Sequence, residues 1–370
     1  MRWPLRALLL FAMAIATCSC GSKTGLLVPE AGIDAGRDSG VDAGRCLPQP
    51  VILERRGAQI MFAIDGSNSM LNTIDDREPL PGELSRWQEL GFALGEALMG
   101  ADPLLEVGAK FFPNQVPGTM GPEEACVVDR GIDVEPARDN VDRLLQSFAS
   151  TEPLGGTPTA PALEEVRAYY ERRPAPGIPR FVVLATDGGP NCNPDTGVPM
   201  DRCVCTGSPT SCLDAMFGRY NCLDEARTLD VIRATFDGLG VPVYVIGIDD
   251  PTRPDLGDVL DRMADAGGRP REVPGQRRFY SVREVDDLRG ALESITSTIA
   301  RCVFTLQPVP GTDAELLVTV DGVRIARDAT RAEGWDYTAP DRSELTLFGG
   351  ACSRVTEGGG TVTAELMCIE

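Results

Sequence analysis

The sequence predicts an α/β fold: a doubly wound, mainly parallel sheet with helices on both faces, followed by a small C-terminal disulfide-bridged β domain. Two observations predict the sheet. Short apolar runs of strand length, such as 59–64 and 180–185, alternate with segments of helical spacing. These runs are apolar at nearly every position, as is typical of strands buried on both faces. The third observation predicts the β domain, because the helical spacing disappears after Cys302 and short strands separated by turn signals follow.

Residues 1–20 have the organisation of a lipoprotein signal peptide. Two arginines precede the ten-residue apolar run 7–16, which is too short to span a bilayer, and small residues follow it. A cysteine at the cleavage point resembles a bacterial lipoprotein signal, in which the N-terminal cysteine of the mature chain carries the lipid. We expect lipidation at Cys20, because cleavage there leaves an even number of other cysteines; Cys18 is the alternative.

The chain then divides into three further regions. Residues 21–50 contain three tandem Asp/Gly-rich tetrads at 34–45 and have almost nothing to bury, so we expect a disordered tether. The α/β domain is predicted over residues 51–300, with a cysteine-rich insert at 190–222. The small β domain is predicted over residues 301–370.

Apolar spacing and capping signals place the individual elements. In the first helix Trp87, Leu90 and Leu94 lie on one face, and Ser85 is placed to cap its start. Further helices are predicted at 137–148, 160–170, 223–239, 256–266 and 285–301. Strands of the α/β domain are predicted at 59–64, 105–112, 180–185 and 241–248. Strands of the β domain are predicted at 303–306, 315–320, 323–326, 344–347 and 361–367.

Charge and composition exclude several function classes. The chain has 35 Lys and Arg against 55 Asp and Glu, and its net charge of −20 repels phosphate backbones, so we expect no nucleic-acid partner. Histidine is absent, which excludes Ser-His-Asp and Cys-His nucleophiles and every His-ligated zinc site. Any site in this chain must therefore use oxygen or sulfur ligands.

The cysteines of the mature chain are predicted to form structural disulfides. Export removes them from the reducing cytoplasm, and five of them lie close together between residues 192 and 222. A zinc or redox cluster that includes Cys203 and Cys205 is the alternative, but the segment has no Cys-x-x-Cys. The pairing cannot be assigned from the sequence alone.

Oxygen-bearing side chains follow two of the predicted buried strands. Asp65 ends the first and is followed by Ser67 and Ser69, and Asp187 follows a later one. Thr157 lies between them, in a Gly-Gly-Thr loop before a predicted helix. In an open parallel sheet, ligands bind beyond the carboxyl ends of the strands. Two carboxylates with several hydroxyls form the ligand set of a hard cation, and Mg²⁺ fits it best because Mg²⁺ is usually held by one or two carboxylates.

At these residues the chain resembles the von Willebrand factor type A (VWA) domain family. The pattern Asp-x-Ser-x-Ser of its metal-ion-dependent adhesion site is met by Asp65, Ser67 and Ser69, its threonine by Thr157 and its later aspartate by Asp187. The resemblance covers roughly residues 56–300. It implies that the serines and the threonine ligate Mg²⁺ or Mn²⁺, and that the aspartates hold it directly or through water. It also implies that the open coordination position accepts an acidic side chain from a partner protein.

The resemblance therefore implies binding rather than turnover, and the protein is predicted not to be an enzyme. We expect a lipid-anchored protein of the bacterial outer membrane or cell surface that touches the membrane only through its lipid. The alternative is a structural component of an envelope assembly in which metal binding is incidental. A metal-dependent hydrolase is a further alternative, with Asp65 or Asp187 as general base. The cysteine-rich insert, just after Asp187, is expected to border the metal and to influence the choice of partner.

Overall fold

The computed structural model of the protein describes residues 48–367, apart from 56, 100–104, 120, 176–177, 209, 272 and 284. The predicted signal peptide, with Cys18 and Cys20, and the predicted tether up to residue 47 lie outside the described residues. Within the described part of the chain, no helix is long and apolar enough to cross a bilayer.

Six strands form the first sheet, in the order β4-β3-β2-β5-β6-β7. Neighbouring strands pair in parallel except β3 and β4, which are antiparallel. Because the chain adds β3 on one side of β2 and β5 on the other, the strand order reverses beside β2, where such sheets bind ligands. The strands are β2 (Ala58–Asp65), β3 (Leu105–Phe112), β4 (Val134–Ala137), β5 (Arg180–Thr186), β6 (Val243–Ile248) and β7 (Tyr280–Val282).

Helices cover both faces of this sheet, which confirms the predicted fold class. One apolar core lies beneath α1 (Arg86–Met99), α2 (Val141–Ser150) and α6 (Val285–Cys302). The other lies beneath α3 (Thr159–Arg172), α4 (Glu225–Leu239) and α5 (Pro254–Ala266). The strands between them are buried on both sides, which explains their almost uniformly apolar sequences.

The start of α1 is fixed by a reciprocal cap. The Gln88 backbone N–H donates to Ser85 Oγ at 3.3 Å, and the Ser85 N–H donates to Gln88 Oε1 at 3.0 Å. This arrangement is a capping box, which satisfies two N–H groups left free at a helix start. The predicted cap at Ser85 is confirmed.

Seven antiparallel strands form a second sheet, in the order β10-β9-β13-β1-β8-β12-β11. A short helix, α7 (Gly349–Gly358), packs against it, and the disulfide Cys302–Cys352 joins the end of α6 to this helix. The strands are β1 (Gln49–Glu54), β8 (Val303–Gln307), β9 (Glu315–Val320), β10 (Val323–Ile325), β11 (Gly334–Tyr337), β12 (Glu344–Phe348) and β13 (Val362–Met367).

The position of β1 corrects the predicted domain boundaries. Residues 51–54 were expected to begin the α/β domain, and 49–50 to end the tether, but all six residues form a strand between β13 and β8. The second domain is therefore discontinuous, since the α/β domain lies between β1 and β8. A single short apolar run gives no information about which sheet it joins, because pairing partners are set by tertiary contacts.

Candidate metal centre

Asp65 and the two serines lie at the carboxyl end of the central strand. Asp65 is the last residue of β2 and is fully buried, and Ser69 lies in a 3₁₀ turn over Asn68–Leu71. The Gly66 N–H donates to the Phe112 carbonyl at 2.6 Å, which ties this loop to the end of β3. The sheet itself therefore positions the Asp-x-Ser-x-Ser segment.

Hydrogen bonds join four of the five predicted residues. The Ser67 N–H donates to Asp65 Oδ1 at 2.9 Å, and Ser67 Oγ lies 3.1 Å from Ser69 Oγ. Ser69 Oγ donates to Asp187 Oδ1 at 3.0 Å. Thr186, the last residue of β5, donates from its hydroxyl to Asp65 Oδ2 at 2.6 Å. The two strand-end aspartates thus belong to one network of oxygens.

The loop of Thr157 is held against the same region. The Asn68 N–H donates to the Gly155 carbonyl at 3.0 Å, so the threonine loop contacts the serine loop directly. The Thr157 N–H donates to Asn191 Oδ1 at 2.7 Å, and the Asn191 N–H returns a bond to the Thr157 carbonyl at 2.9 Å. Thr157 and Thr159 are both buried, but Thr157 lies in the loop and Thr159 is the first residue of α3.

Arg86, the first residue of α1, forms a buried ion pair with Asp187. The sequence analysis did not identify this residue. Its guanidinium is 6% exposed and its Nη1 donates to Asp187 Oδ2 at 2.7 Å. Its Nη2 lies 3.2 Å from Asp76 Oδ1. The sequence did carry a signal, because Arg86 precedes Leu90 by one helical turn and so lies on the apolar face of α1. A charge on the buried face of a helix needs a buried partner.

The two aspartates differ in their electrostatic surroundings. Burial, and then the negative charge of Asp187, raise the pKa of Asp65 to about 7, against the opposing hydrogen bonds from Thr186 and Ser67. Burial also raises the pKa of Asp187, although Arg86 opposes that shift. Two buried carboxylates that share one network are unfavourable together unless a cation compensates them.

A disulfide fastens the loops around the threonine. Cys126, in the segment after β3, is bonded to Cys192, which directly follows Asn191. Gly156 packs on this bridge so closely that a Cβ at that position would lie 2.6 Å from Cys192 Sγ. The Gly156 N–H also donates to the Ala125 carbonyl at 2.9 Å. Only glycine fits here, and the disulfide fixes the backbone that carries Thr157.

Replacing Cys126 and Cys192 together by serine should lower both stability and cation affinity. The bridge closes a 66-residue separation, and loss of a native disulfide typically costs about 2–5 kcal/mol. Chemical denaturation and metal titration of the double variant measure the two effects. Replacing Cys302 and Cys352 is the matched control, because that bridge joins α6 to α7, contains no residue of the loops that carry the proposed ligands, and should affect stability alone. Equal cation affinity in both double variants would contradict the positioning role of the first bridge.

The remaining cysteines of the insert also form disulfides, Cys203–Cys222 and Cys205–Cys212. This agrees with the expected structural bridges, and the sulfurs of Cys203 and Cys212 approach to 3.4 Å. Arg253, just before α5, holds the insert by donating from Nη2 to the Cys205 carbonyl at 2.6 Å. The insert is thus a bridged unit attached beside the loops of the candidate metal centre.

The residues present fit a hard divalent cation. Ser67, Ser69, Asp65 and Asp187 supply only oxygen donors, which hard cations prefer. The buried carboxylate pair would supply negative charge to such an ion. Thr157 adds a further hydroxyl from the neighbouring loop.

Comparison with known proteins gives similarities of fold. No protein-family model and no curated protein matches the chain. The pilus adhesin SpaC from Lactobacillus rhamnosus GG shares 15% identity over 84% of this chain and 39% of its own, with a TM-score of 0.44. The manganese-loaded TRAP protein of Plasmodium vivax shares 15% identity over 67% of this chain and 78% of its own, with a TM-score of 0.40. The SpRpn10 VWA domain shares 11% identity over 65% of this chain and 94% of its own, with a TM-score of 0.38.

The chain spans about two fifths of the length of the SpaC adhesin. All three identities are below 25% and all three TM-scores are below 0.5.

Proposed function

We propose that this protein binds a divalent cation, Mg²⁺ or Mn²⁺, and that the bound cation takes an acidic side chain from a protein partner. Ser67, Ser69 and Thr157 would be direct ligands, and Asp65 and Asp187 would supply the charge. The observation that carries the proposal is the convergence of these oxygen-bearing segments beyond the end of β2, where the strand order of the sheet reverses.

The charges of the site favour an anionic partner group. Arg86 offsets the charge of Asp187, so a divalent cation would meet about one uncompensated carboxylate, that of Asp65. The bound ion would keep a net positive charge. An outside carboxylate is the protein group that best neutralises a hard cation. Binding, rather than hydrolysis, is the activity that this arrangement supports.

We also propose that the protein is exported and anchored through a lipid on Cys20, at the bacterial outer membrane or cell surface. The four disulfides among the described residues support export, because disulfides persist outside the reducing cytoplasm. The sequence around Cys20 supports the lipid.

Replacing Thr157 by valine should weaken Mg²⁺ binding by at least about tenfold, since it removes one proposed ligand while keeping the side-chain shape. Thr159→Val is the matched control, because that buried threonine lies two residues away and begins α3. Calorimetric titration of the chelator-treated, oxidised protein measures both. We expect the wild type and Thr159→Val to bind Mg²⁺ at one site with the same affinity. Only Thr157→Val should bind it more weakly. Equal losses in the two variants, or a wild type that binds no cation, would contradict the proposal.

Cation binding should strengthen as pH rises from 5 to 8. The pKa of Asp65 is raised from 3.8 to about 7, so the cation-free protein keeps this proton at acidic pH. Its unfolded state loses the proton above about pH 4, so this group lowers the free energy of unfolding progressively between about pH 4 and 7. A cation favours the ionised carboxylate and must displace the proton. Thermal unfolding with and without Mg²⁺ should show a larger cation-induced rise in Tm at pH 8 than at pH 5, and an equal rise would contradict this.

A further inference from the structure

Exposed apolar side chains are concentrated in the three loop segments that carry or contact the proposed metal ligands. We define the metal-site rim as the described residues of the segments 66–85, 113–133 and 188–224, which exclude 120 and 209. The segments begin after β2, after β3 and after Asp187. Of the sixteen large apolar side chains exposed in the described part of the chain, ten lie in these three segments. These loops therefore offer more exposed apolar side chains to a partner than the rest of the described chain does.

Each segment of the rim is tied directly to the proposed ligands. The first contains Ser67 and Ser69, and Leu71 of the same 3₁₀ turn is 46% exposed. The second binds the threonine loop through the Ala125 carbonyl. The third binds it through Asn191. Residues of all three segments therefore lie in one group of loops with the proposed ligands.

The insert presents its apolar side chains on a pre-ordered turn. Leu213 and Met216 are 81% and 60% exposed. Between them, Asp214 Oδ1 accepts the N–H of Met216 at 2.8 Å and that of Phe217 at 2.7 Å, and the Cys205–Cys212 bridge immediately precedes the turn. A turn fixed in this way loses little conformational freedom on binding, which favours affinity.

The rim is also acidic. Its three segments carry twelve Asp and Glu against four Arg, a net charge of −8 without Asp65 and Asp187. An acidic partner surface would be repelled by this field, whereas a basic one would be attracted. A single carboxylate can reach the cation only if positive charge around it offsets the repulsion.

We infer that the metal-site rim binds a protein surface in which one carboxylate is surrounded by apolar side chains and by Lys or Arg residues. The inference rests on the proposed function, since the carboxylate completes the coordination of the cation. The apolar side chains of the rim, of which Leu213 and Met216 are two of the most exposed, supply affinity when the partner buries them. The acidic residues of the rim attract a basic partner and disfavour an acidic one.

The probe for this inference is a library of random linear peptides displayed on phage and selected on the oxidised protein, once with Mg²⁺ and once with chelator. We expect the Mg²⁺-dependent peptides to carry one Asp or Glu flanked by apolar residues and by Lys or Arg. Selection on Asp65→Ala should yield none of them. Their binding should weaken as salt rises, because the rim and the peptide attract each other through charge.

Leu213→Ser with Met216→Ser should weaken the selected peptides by at least about tenfold, from the loss of two buried apolar contacts. Val273→Ser with Val309→Ser is the matched control, since those exposed valines lie outside the rim. Both pairs should keep the Mg²⁺ affinity and the unfolding temperature of the wild type, which establishes that they fold. Two results would overturn the inference and leave the proposed function intact. The Mg²⁺-dependent peptides could lack the apolar and basic residues, or their affinity could be unchanged by Leu213→Ser with Met216→Ser. Absence of any Mg²⁺-dependent peptide also overturns the inference, and overturns the proposed function if Mg²⁺ titration is silent too.

Discussion

Replacing Arg86 by methionine should lower the free energy of unfolding of the cation-free protein by about 3–5 kcal/mol. The guanidinium is buried and lies 2.7 Å from Asp187, whose side chain is only 1% exposed. Removing one partner of a buried ion pair leaves the other charge in a low-dielectric environment without compensation. Methionine fills most of the same volume, so the loss reports the charge rather than a cavity.

Mg²⁺ should recover part of this loss, because it places a positive charge beside Asp187 again. Chemical denaturation with and without Mg²⁺ measures both quantities, and the cation-induced gain should be larger in Arg86→Met than in the wild type. Arg283→Met is the control: its side chain is 66% exposed, and its partner Asp249 is also held by Arg277. The control should lose less than about 1 kcal/mol. If Arg86→Met and Arg283→Met lower the free energy of unfolding equally, the buried pair of Arg86 and Asp187 does not stabilise the protein as expected.

Replacing Asp65 by asparagine should abolish the response to divalent cations while stabilising the cation-free protein at pH 8. The buried carboxylate is ionised at that pH against both burial and the charge of Asp187. A neutral side chain therefore removes an unfavourable charge, worth on the order of 4 kcal/mol. The amide can make replacement hydrogen bonds. Its Oδ1 accepts the Ser67 N–H, and its NH2 group can donate to Thr186 Oγ1 once the Thr186 hydroxyl donates instead to the Gly188 carbonyl, 3.3 Å away. Cation affinity should fall at least about 100-fold. Loss of a group that only orients a metal ligand costs up to about 100-fold, and Asp65 is proposed to supply charge to the ion itself.

Asp249→Asn is the matched control, because Asp249 is also buried and directly follows a strand of the same sheet, β6. There the carboxylate is held by Arg277 at 3.1 Å and by Arg283 Nε at 2.9 Å. Neutralising it should destabilise the protein and leave Mg²⁺ binding unchanged. Thermal unfolding and metal titration of the two variants should therefore give opposite patterns. A destabilised Asp65→Asn that still binds Mg²⁺ would show that Asp65 is a structural aspartate.

Local signals predicted the elements that build the site. The apolar runs that end at Asp65 and just before Asp187 are strands β2 and β5, and the cap at Ser85 begins α1. These features depend on residues close together in the sequence. The approach of Asp187 to Ser69, at 3.0 Å, followed from the general rule that parallel strands end at one edge.

Features fixed by long-range pairing could not be predicted in this way. The bridge from Cys126 to Cys192 is one of many connectivities that the cysteines allow. The strand β1 lies between two strands more than 240 residues later in the chain. The helix α7 begins with two glycines, which disfavour helix formation, so its packing against α6 and the second sheet stabilises it instead. The position of Arg86 on the apolar face of α1 indicates a buried partner, but not that this partner is Asp187, 101 residues later.

Anomalous diffraction from crystals of the oxidised protein grown with Mn²⁺ tests the proposed cation site most directly. We predict one strong manganese peak beyond the end of β2, with Ser67 Oγ, Ser69 Oγ and Thr157 Oγ1 each about 2 Å from the ion. A peak elsewhere, or density that excludes an ion among these three hydroxyls at saturating Mn²⁺, would contradict the account.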